Sequence, residues 1–223
     1  APSAPSTPDL ITSSDTGSSS TDNITSDNTP SFSGTAEANS TVELFQGTTS
    51  LGTTTTDGTG NWSFTATTLA DGTYSITGKA TDKAGNVSSA SGALSITIDT
   101  SAPSAPAITA ITTDTGSSSS DQITSDTTLV LSGTAEANST VAVSLTGTGQ
   151  IGTATTDANG AWSYDYTGTI LTDGAYVFTA TATDASGNTS AASANFNVTI
   201  DTSAPSAPST PDLITSSDTG SSS

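Results

Sequence analysis

The sequence predicts an all-β protein of tandem seven-stranded β-sandwiches, and three observations predict it. The chain repeats itself with a period near 100 residues, its sparse apolar residues alternate with polar ones, and turn dipeptides punctuate the alternation. Ala1-Pro2-Ser3-Ala4-Pro5 returns at 102–106 and again at 204–208, spacings of 101 and 102 residues. Residues 204–223 duplicate 1–20 without a change. The chain therefore divides into units at 1–101 and 102–203, with the start of a third, truncated repeat at 204–223. A period this long exceeds the roughly 20–50 residues of solenoid repeats, so each unit is expected to be a whole domain with its own core.

Taken in order, the first unit reads as strands near 9–12 and at 30–35, 41–45, 51–56, 61–67, 73–81 and 94–98. Thr fills many of these positions, and its β-branched side chain suits a pleated, half-buried surface. Asp57-Gly58 and Asp71-Gly72 are the turn dipeptides on either side of the fifth strand. Alternation is clearest in the last strand, which puts Leu94, Ile96 and Ile98 on one face, and in its counterpart with Phe196, Val198 and Ile200. Low aliphatic content with a net charge of −19 would by itself suggest disorder; the sustained period of two decides against it. Trp62 and Trp162 fall in phase with Phe64 and Tyr164 and read as core.

Seven strands in about 100 residues without a helical period point to an immunoglobulin-like sandwich. Asp71-Gly72-Thr73-Tyr74, matched by Asp173-Gly174-Ala175-Tyr176, resembles the tyrosine corner that opens the sixth strand of such sandwiches. Each tyrosine is expected to hold a buried hydrogen bond to upstream backbone. Where a disulfide-bearing domain carries Cys two residues later, this chain has Ile76 and Phe178, which argues against an antibody-type domain.

Composition excludes whole classes of function. With 21 acidic residues against two lysines, the chain cannot neutralise phosphates, so neither nucleic-acid binding nor anchoring to anionic lipid is expected. The absence of His and Cys removes zinc sites, disulfides and Cys or His nucleophiles. No apolar run approaches the roughly 18 residues of a membrane helix, so no membrane insertion is expected. Without an initiating Met or a leader, the sequence reads as an internal piece of something longer.

Four motifs together carry a family resemblance: Asp15-Thr16-Gly17, Gly34-Thr35-Ala36-Glu37, Ala80-Thr81-Asp82-Lys83-Ala84-Gly85-Asn86 and Ile98-Asp99-Thr100-Ser101-Ala102-Pro103. In this order and spacing, found twice, they resemble the bacterial Ig-like repeats of very large Gram-negative surface adhesins, of the repeats-in-toxin or biofilm-associated type. The resemblance implies an extracellular location on the bacterial cell surface. It also implies a role as an extender, often stiffened by calcium, that holds a distal ligand-binding region away from the cell.

The acids gather at the ends of each unit. Strand direction alternates, so the first, third and fifth loops share a lower pole with the exit of the last strand, and the other loops share an upper pole with the entry. The first unit places Asp15, Asp22, Asp27, Asp71 and Asp99 at its lower pole, and the second places Asp114, Asp121, Asp126, Asp173 and Asp201 there. The upper pole of the second unit carries Glu136, Asp157, Asp184 and Asn188. Five mutually close carboxylates make ten pairs at roughly 0.7 kcal/mol each in water, about 7 kcal/mol together. That rivals the roughly 5–15 kcal/mol stability of a whole domain. Ca²⁺ takes oxygen ligands of this kind and is the expected cofactor, with the lower pole of one unit and the upper pole of the next sharing a site. The alternative is that Asp occupies these loops because it favours turns.

Asp15-Thr16-Gly17-Ser18-Ser19 also matches the aspartic-protease signature and recurs at Asp114 and Asp218. No apolar strand leads into it, and nothing in a linear array brings two copies together, so no enzyme is expected. The expected partners are neighbouring Ig-like repeats of the same chain, in a monomeric molecule. The competing function is a module that itself binds a glycan or host surface protein. Such a site normally exposes aromatic side chains, and of the aromatics here only Phe45 falls out of phase with the inward face of its strand.

Overall fold

The computed structural model describes residues 1–211; the rest of the third repeat, including the third copy of the Asp-Thr-Gly motif at Asp218, lies outside the described residues. The first unit contains β1 (Asp9–Leu10), β2 (Ile24–Thr25), β3 (Ser31–Thr35), β4 (Thr41–Gln46), β5 (Thr49–Thr55), β6 (Asn61–Thr65), β7 (Gly72–Thr81) and β8 (Leu94–Ile98). The second contains β9 (Ala107–Ile111), β10 (Ile123–Thr124), β11 (Val130–Thr134), β12 (Thr140–Leu145), β13 (Gly149–Thr155), β14 (Ala161–Asp165), β15 (Gly174–Thr183) and β16 (Phe196–Ile200). Each unit pairs a three-stranded sheet, β1-β3-β6 or β9-β11-β14, with a five-stranded sheet, β2-β8-β7-β4-β5 or β10-β16-β15-β12-β13. The sandwich is as expected; the strand number is not.

Each unit has eight strands where seven were expected. The additional ones, β2 and β10, are two residues long and run parallel to β8 and β16, pairing Thr25 with Ile98 and Thr124 with Ile200. Two residues are too few to show an alternation, and the buried Thr25 and Thr124 are polar, so neither strand has a hydrophobic signature. The fourth predicted strand, β5, forms a tight hairpin with β4 and so extends the five-stranded sheet.

Two separate cores result. Phe32, Val42, Leu44, Trp62, Ile76, Ile96 and Ile98 fill the first; Leu131, Val141, Val143, Trp162, Phe178, Val198 and Ile200 fill the second. Full burial of such a side chain contributes about 1.5–3 kcal/mol. The shared Gly of Gly34-Thr35-Ala36-Glu37 has a packing reason, because a Cβ on Gly34 would lie 2.5 Å from Trp62 Cζ2. Asn39 and Asn138, with φ of 57° and 60°, supply the left-handed turn that follows this motif. Lys79 is exposed as expected, its Nζ 5.5 Å from the ring centre of the half-buried Phe45. The linkers are more ordered than extended spacers would be: Pro2, Pro5, Pro8, Pro103 and Pro106 are buried against their units.

The tyrosine corner is present in both units. Tyr74 Oη donates to the Ala70 carbonyl at 2.7 Å, and Tyr176 Oη to the Thr172 carbonyl at 3.0 Å. The rings are only half-buried and the hydroxyls lie at the surface, so these hydrogen bonds are not buried as expected. The corner sits at the open lower rim, where no neighbouring element covers the phenol.

Candidate functional site

The lower pole of the first unit meets the upper pole of the second through two loops. One is the long loop between β1 and β2; the other is the tip 184–188 that follows β15. Thr16 Oγ1 donates to the Ser186 carbonyl at 2.9 Å, and the Ser18 N–H donates to the Ala185 carbonyl at 3.2 Å. Asn188 Nδ2 donates to the Asp99 carbonyl at 2.8 Å, and Ser186 Oγ to Asp99 Oδ2 at 3.3 Å. Asp99 is itself anchored, its N–H donating to the Thr25 carbonyl. The backbones come close at a pair of glycines. Gly17 has φ of +102°, and a Cβ there would run into the Ala185 carbonyl, while a Cβ on Gly187 would lie 3.0 Å from Gly17 Cα.

Burial marks the contact. Asp184 and Ser186 are 7% and 2% exposed, whereas Lys83, Ala84, Gly85 and Asn86, at the matching tip of the first unit, face solvent. Sequence reasoning placed Asp99, Asp184 and Asn188 at this junction, and the structure brings them together: Asn188 Nδ2 also donates to Asp184 Oδ2 at 2.9 Å. Asn188 presents its amide nitrogen, not its oxygen, to both acids. Glu136 and Asp157 of the same pole are exposed and make no hydrogen bond to the first unit.

Most of the acids are engaged within their own loops. Asp71 accepts from Thr100 N–H and Oγ1 and from Ser101 Oγ, and Asp173 repeats this with Thr202 and Ser203, so this pair fixes the chain where it leaves each sandwich. The hydroxyl bonds to Thr100 and Ser101 are the leading causes that hold the Asp71 carboxyl below its ordinary range, and those to Thr202 do the same at Asp173. Asp22 and Asp121 accept from the N–H two residues on, as do Asp99 and Asp201. Asp126 is bound by Thr128. Asp27 accepts from Ser14 Oγ at 2.7 Å and from Thr29, which outweigh its burial and lower its pKa. Asp57, fully exposed, is pulled down to about 2, first by the Thr59 hydroxyl and then by the Asn61 and Thr59 N–H groups.

Two acids differ. Asp15 is 5% exposed; its Oδ2 accepts only a long 3.4 Å bond from the Asn23 N–H, and its Oδ1 is shielded and accepts nothing. Asp114 repeats this, with Oδ2 bound by the Gln122 N–H at 3.0 Å and Oδ1 without a partner. Asp114 lines a cavity of about 100 Å³ together with Thr109, Ile111, Ser119, Ser120 and Gln122. Burial drives the Asp15 pKa up, and the charges of Asp22 and Asp9 add to the rise against the single Asn23 bond. A shielded, unpartnered carboxylate oxygen is the kind of group a hard cation satisfies. Asp15 and Asp114 therefore fit Ca²⁺. The acids already bound by their loops would have to exchange hydrogen bonds for it, and among the described residues no three acids stand together as a ready-made ion cage.

Thr16, Gly17, Ser18 and Ser186 were not expected at the junction. Their signal was the recurring Asp-Thr-Gly-Ser motif, whose resemblance to a protease loop concealed the steric role of its glycine.

The bacterial Ig-like domain family matches residues 2–100 and, separately, 102–202. The chain belongs to that family. Its two bacterial Ig-like domains are similar to several solved tandem structures. The BSP domain of a biofilm-associated protein is 26% identical over 81% of this chain and 29% of that one, with a TM-score of 0.34. A tetra-tandem repeat from the extending region of a large adhesion protein is 25% identical over 89% of this chain and 50% of that one, with a TM-score of 0.35. A bacterial ice-binding adhesin is 22% identical over 91% of this chain and 67% of that one, with a TM-score of 0.43. The chain thus spans 29% of the first and half of the second. No curated protein matches it. Among the described residues no helix is long and apolar enough to cross a membrane.

Proposed function

We propose that the chain is a structural extender segment of a bacterial surface adhesin. Its Ig-like units stack end to end, are stiffened by Ca²⁺ at their junctions, and project a distal ligand-binding region from the cell surface into the extracellular space. The observation that carries this reading is the direct junction, where four hydrogen bonds and a Gly17–Gly187 approach fix one sandwich upon the next. A segment whose elaborated contact lies between its units, and not in a cleft, is suited to transmit position and force. No part of the reading requires an enzyme.

The calcium part rests on Asp15 and Asp114. When bound, the ion would supply positive charge and oxygen coordination at the shielded Oδ1 atoms. Asp22, Asp27 and Asp99 lie on the same pole as Asp15, and Asp121, Asp126 and Asp201 repeat the set in the second unit. Asp71 and Asp173 contribute by holding the linkers. A glycan- or protein-binding module is less well supported, because the large hydrophobics exposed among the described residues are Val87, Ile123 and Ile170, none of them aromatic. Melting with calcium and with chelator tests the calcium part. A ligand held only by the folded state raises the midpoint; identical curves would remove the ion from the account.

A further inference from the structure

Val87, Ile123 and Ile170 are 55%, 50% and 77% exposed, and all three lie on poles that the junction of the two units leaves uncovered. Val87 directly follows the 82–86 tip at the upper pole of the first unit, bridged to Thr81. Ile123 opens β10 beside the exit of the second unit, pairing with Thr199, and Ile170 belongs to the loop before β15 on that same lower pole. The poles that meet at the junction are built differently: Thr189 stands in place of Val87, Thr68 in place of Ile170, and Ile24, the counterpart of Ile123, is partly buried. The tips differ too. Ala185-Ser186 contacts the first unit, whereas the matching Lys83-Ala84 carries one of the two cations of the chain, fully in solvent.

The order of repeats says which surfaces come together. Ser209-Thr210-Pro211-Asp212 copies Ser6-Thr7-Pro8-Asp9, where the second unit has Ala107-Ile108-Thr109-Ala110. A unit of the second kind is thus followed by one that opens as the first kind does. We infer that the lower pole of the second unit is the docking face for a following unit of the first kind, in a junction of a second class. In it the lysine matching Lys83 meets the pole of Asp121, Asp173 and Asp201, and the valine matching Val87 covers Ile123 and Ile170. The geometry is that of the junction already described, with the Ser186 hydrogen bond replaced by a lysine counter-charge and apolar contact. An ammonium among carboxylates does the neutralising that an ion would otherwise do, so this junction closes without calcium. The contact depends on ionic strength, because exposed charges are screened within roughly 10 Å at 0.1 M salt.

The test extends the chain from residue 203 with a copy of residues 1–101. The protein has no Cys, so introduced cysteine pairs carry distance probes across each junction without side reactions. In chelator at low salt, the distance distribution across the second junction is expected to be narrow. It should broaden at least twofold on Lys→Ala at the third-unit position matching Lys83, on Ile123→Thr combined with Ile170→Thr, and on raising the salt. Probes across the first junction should not respond to either substitution. Melting curves establish that the substituted units still fold, as surface changes of this kind should permit. A broad distribution in the unsubstituted chain overturns the inference, and so does a narrow one that neither substitution widens. Because every arm is read in chelator, failure of the calcium reading leaves this outcome unaffected.

Discussion

At Asp15 burial and charge oppose each other, and the balance depends on what the unpartnered Oδ1 meets. Its pKa is raised above the ordinary 3.8 by burial first and by Asp22 and Asp9 next. The folded state therefore holds the proton more tightly than the unfolded chain does. That contribution to stability is fully present below pH 3.8 and is lost as pH rises through the raised folded value. At neutral pH in chelator, Asp15→Asn should accordingly raise the melting midpoint by a few degrees, since roughly 1 kcal/mol moves a domain of this size by about 4–8 °C. With saturating calcium the same substitution should lower it, because the ion loses a ligand. The crossover is read from two melting series; a substitution without effect in both removes Asp15 from the account. Tyr74 tests the packing side at the same scale. Its hydroxyl bond lies at the surface, so Tyr74→Phe should cost about 0.5 kcal/mol, the low end for a single hydrogen bond, measured by denaturant unfolding.

At the scale of elements, the first loop of each unit shows what the sequence could and could not reveal. The long strands were legible because Leu94, Ile96 and Ile98, or Phe196, Val198 and Ile200, alternate over enough residues to define a face. β2 and β10 were not, because a buried Thr25 or Thr124 held by hydrogen bonds leaves no hydrophobic pattern. The polar caps were legible as clusters of acids, and the contact of Asp99 with Asn188 followed from strand direction alone. What each acid does was not, because Asp71 and Asp173 as linker clamps and Asp57 as a turn cap depend on donors that only the folded loops bring near. The glycines of this loop permit a controlled comparison. Gly17 and Gly116 have nearly the same φ, +102° and +101°, but a Cβ on Gly17 meets the Ala185 backbone while one on Gly116 meets nothing. Gly17→Ala and Gly116→Ala should each cost their own unit about 1–3 kcal/mol of backbone strain. Only Gly17→Ala should also broaden the inter-unit distance distribution; equal behaviour of the two would mean that the glycine contact does not hold the junction.

For the whole molecule, function follows from how two independently cored sandwiches are kept from bending. Asp71 sets the direction of the chain as it leaves β8, Pro103 and Pro106 are buried against the second unit, and the loop holding Thr16, Gly17 and Ser18 grips the tip around Ser186. Hydrogen bonds at a solvent-accessible junction contribute only about 0.5–1.5 kcal/mol each, so the acidic pole beside them decides whether the contact persists. Calcium at that pole would turn a hinge into a strut, since bending would pull oxygens away from the ion. Small-angle scattering of the chain in calcium, in chelator and as Asp99→Ala tests this most directly. The account predicts an extended two-domain rod in calcium, a broader and more compact distribution in chelator, and the chelator profile for Asp99→Ala even with calcium present. A rod that is the same under all three conditions would contradict it.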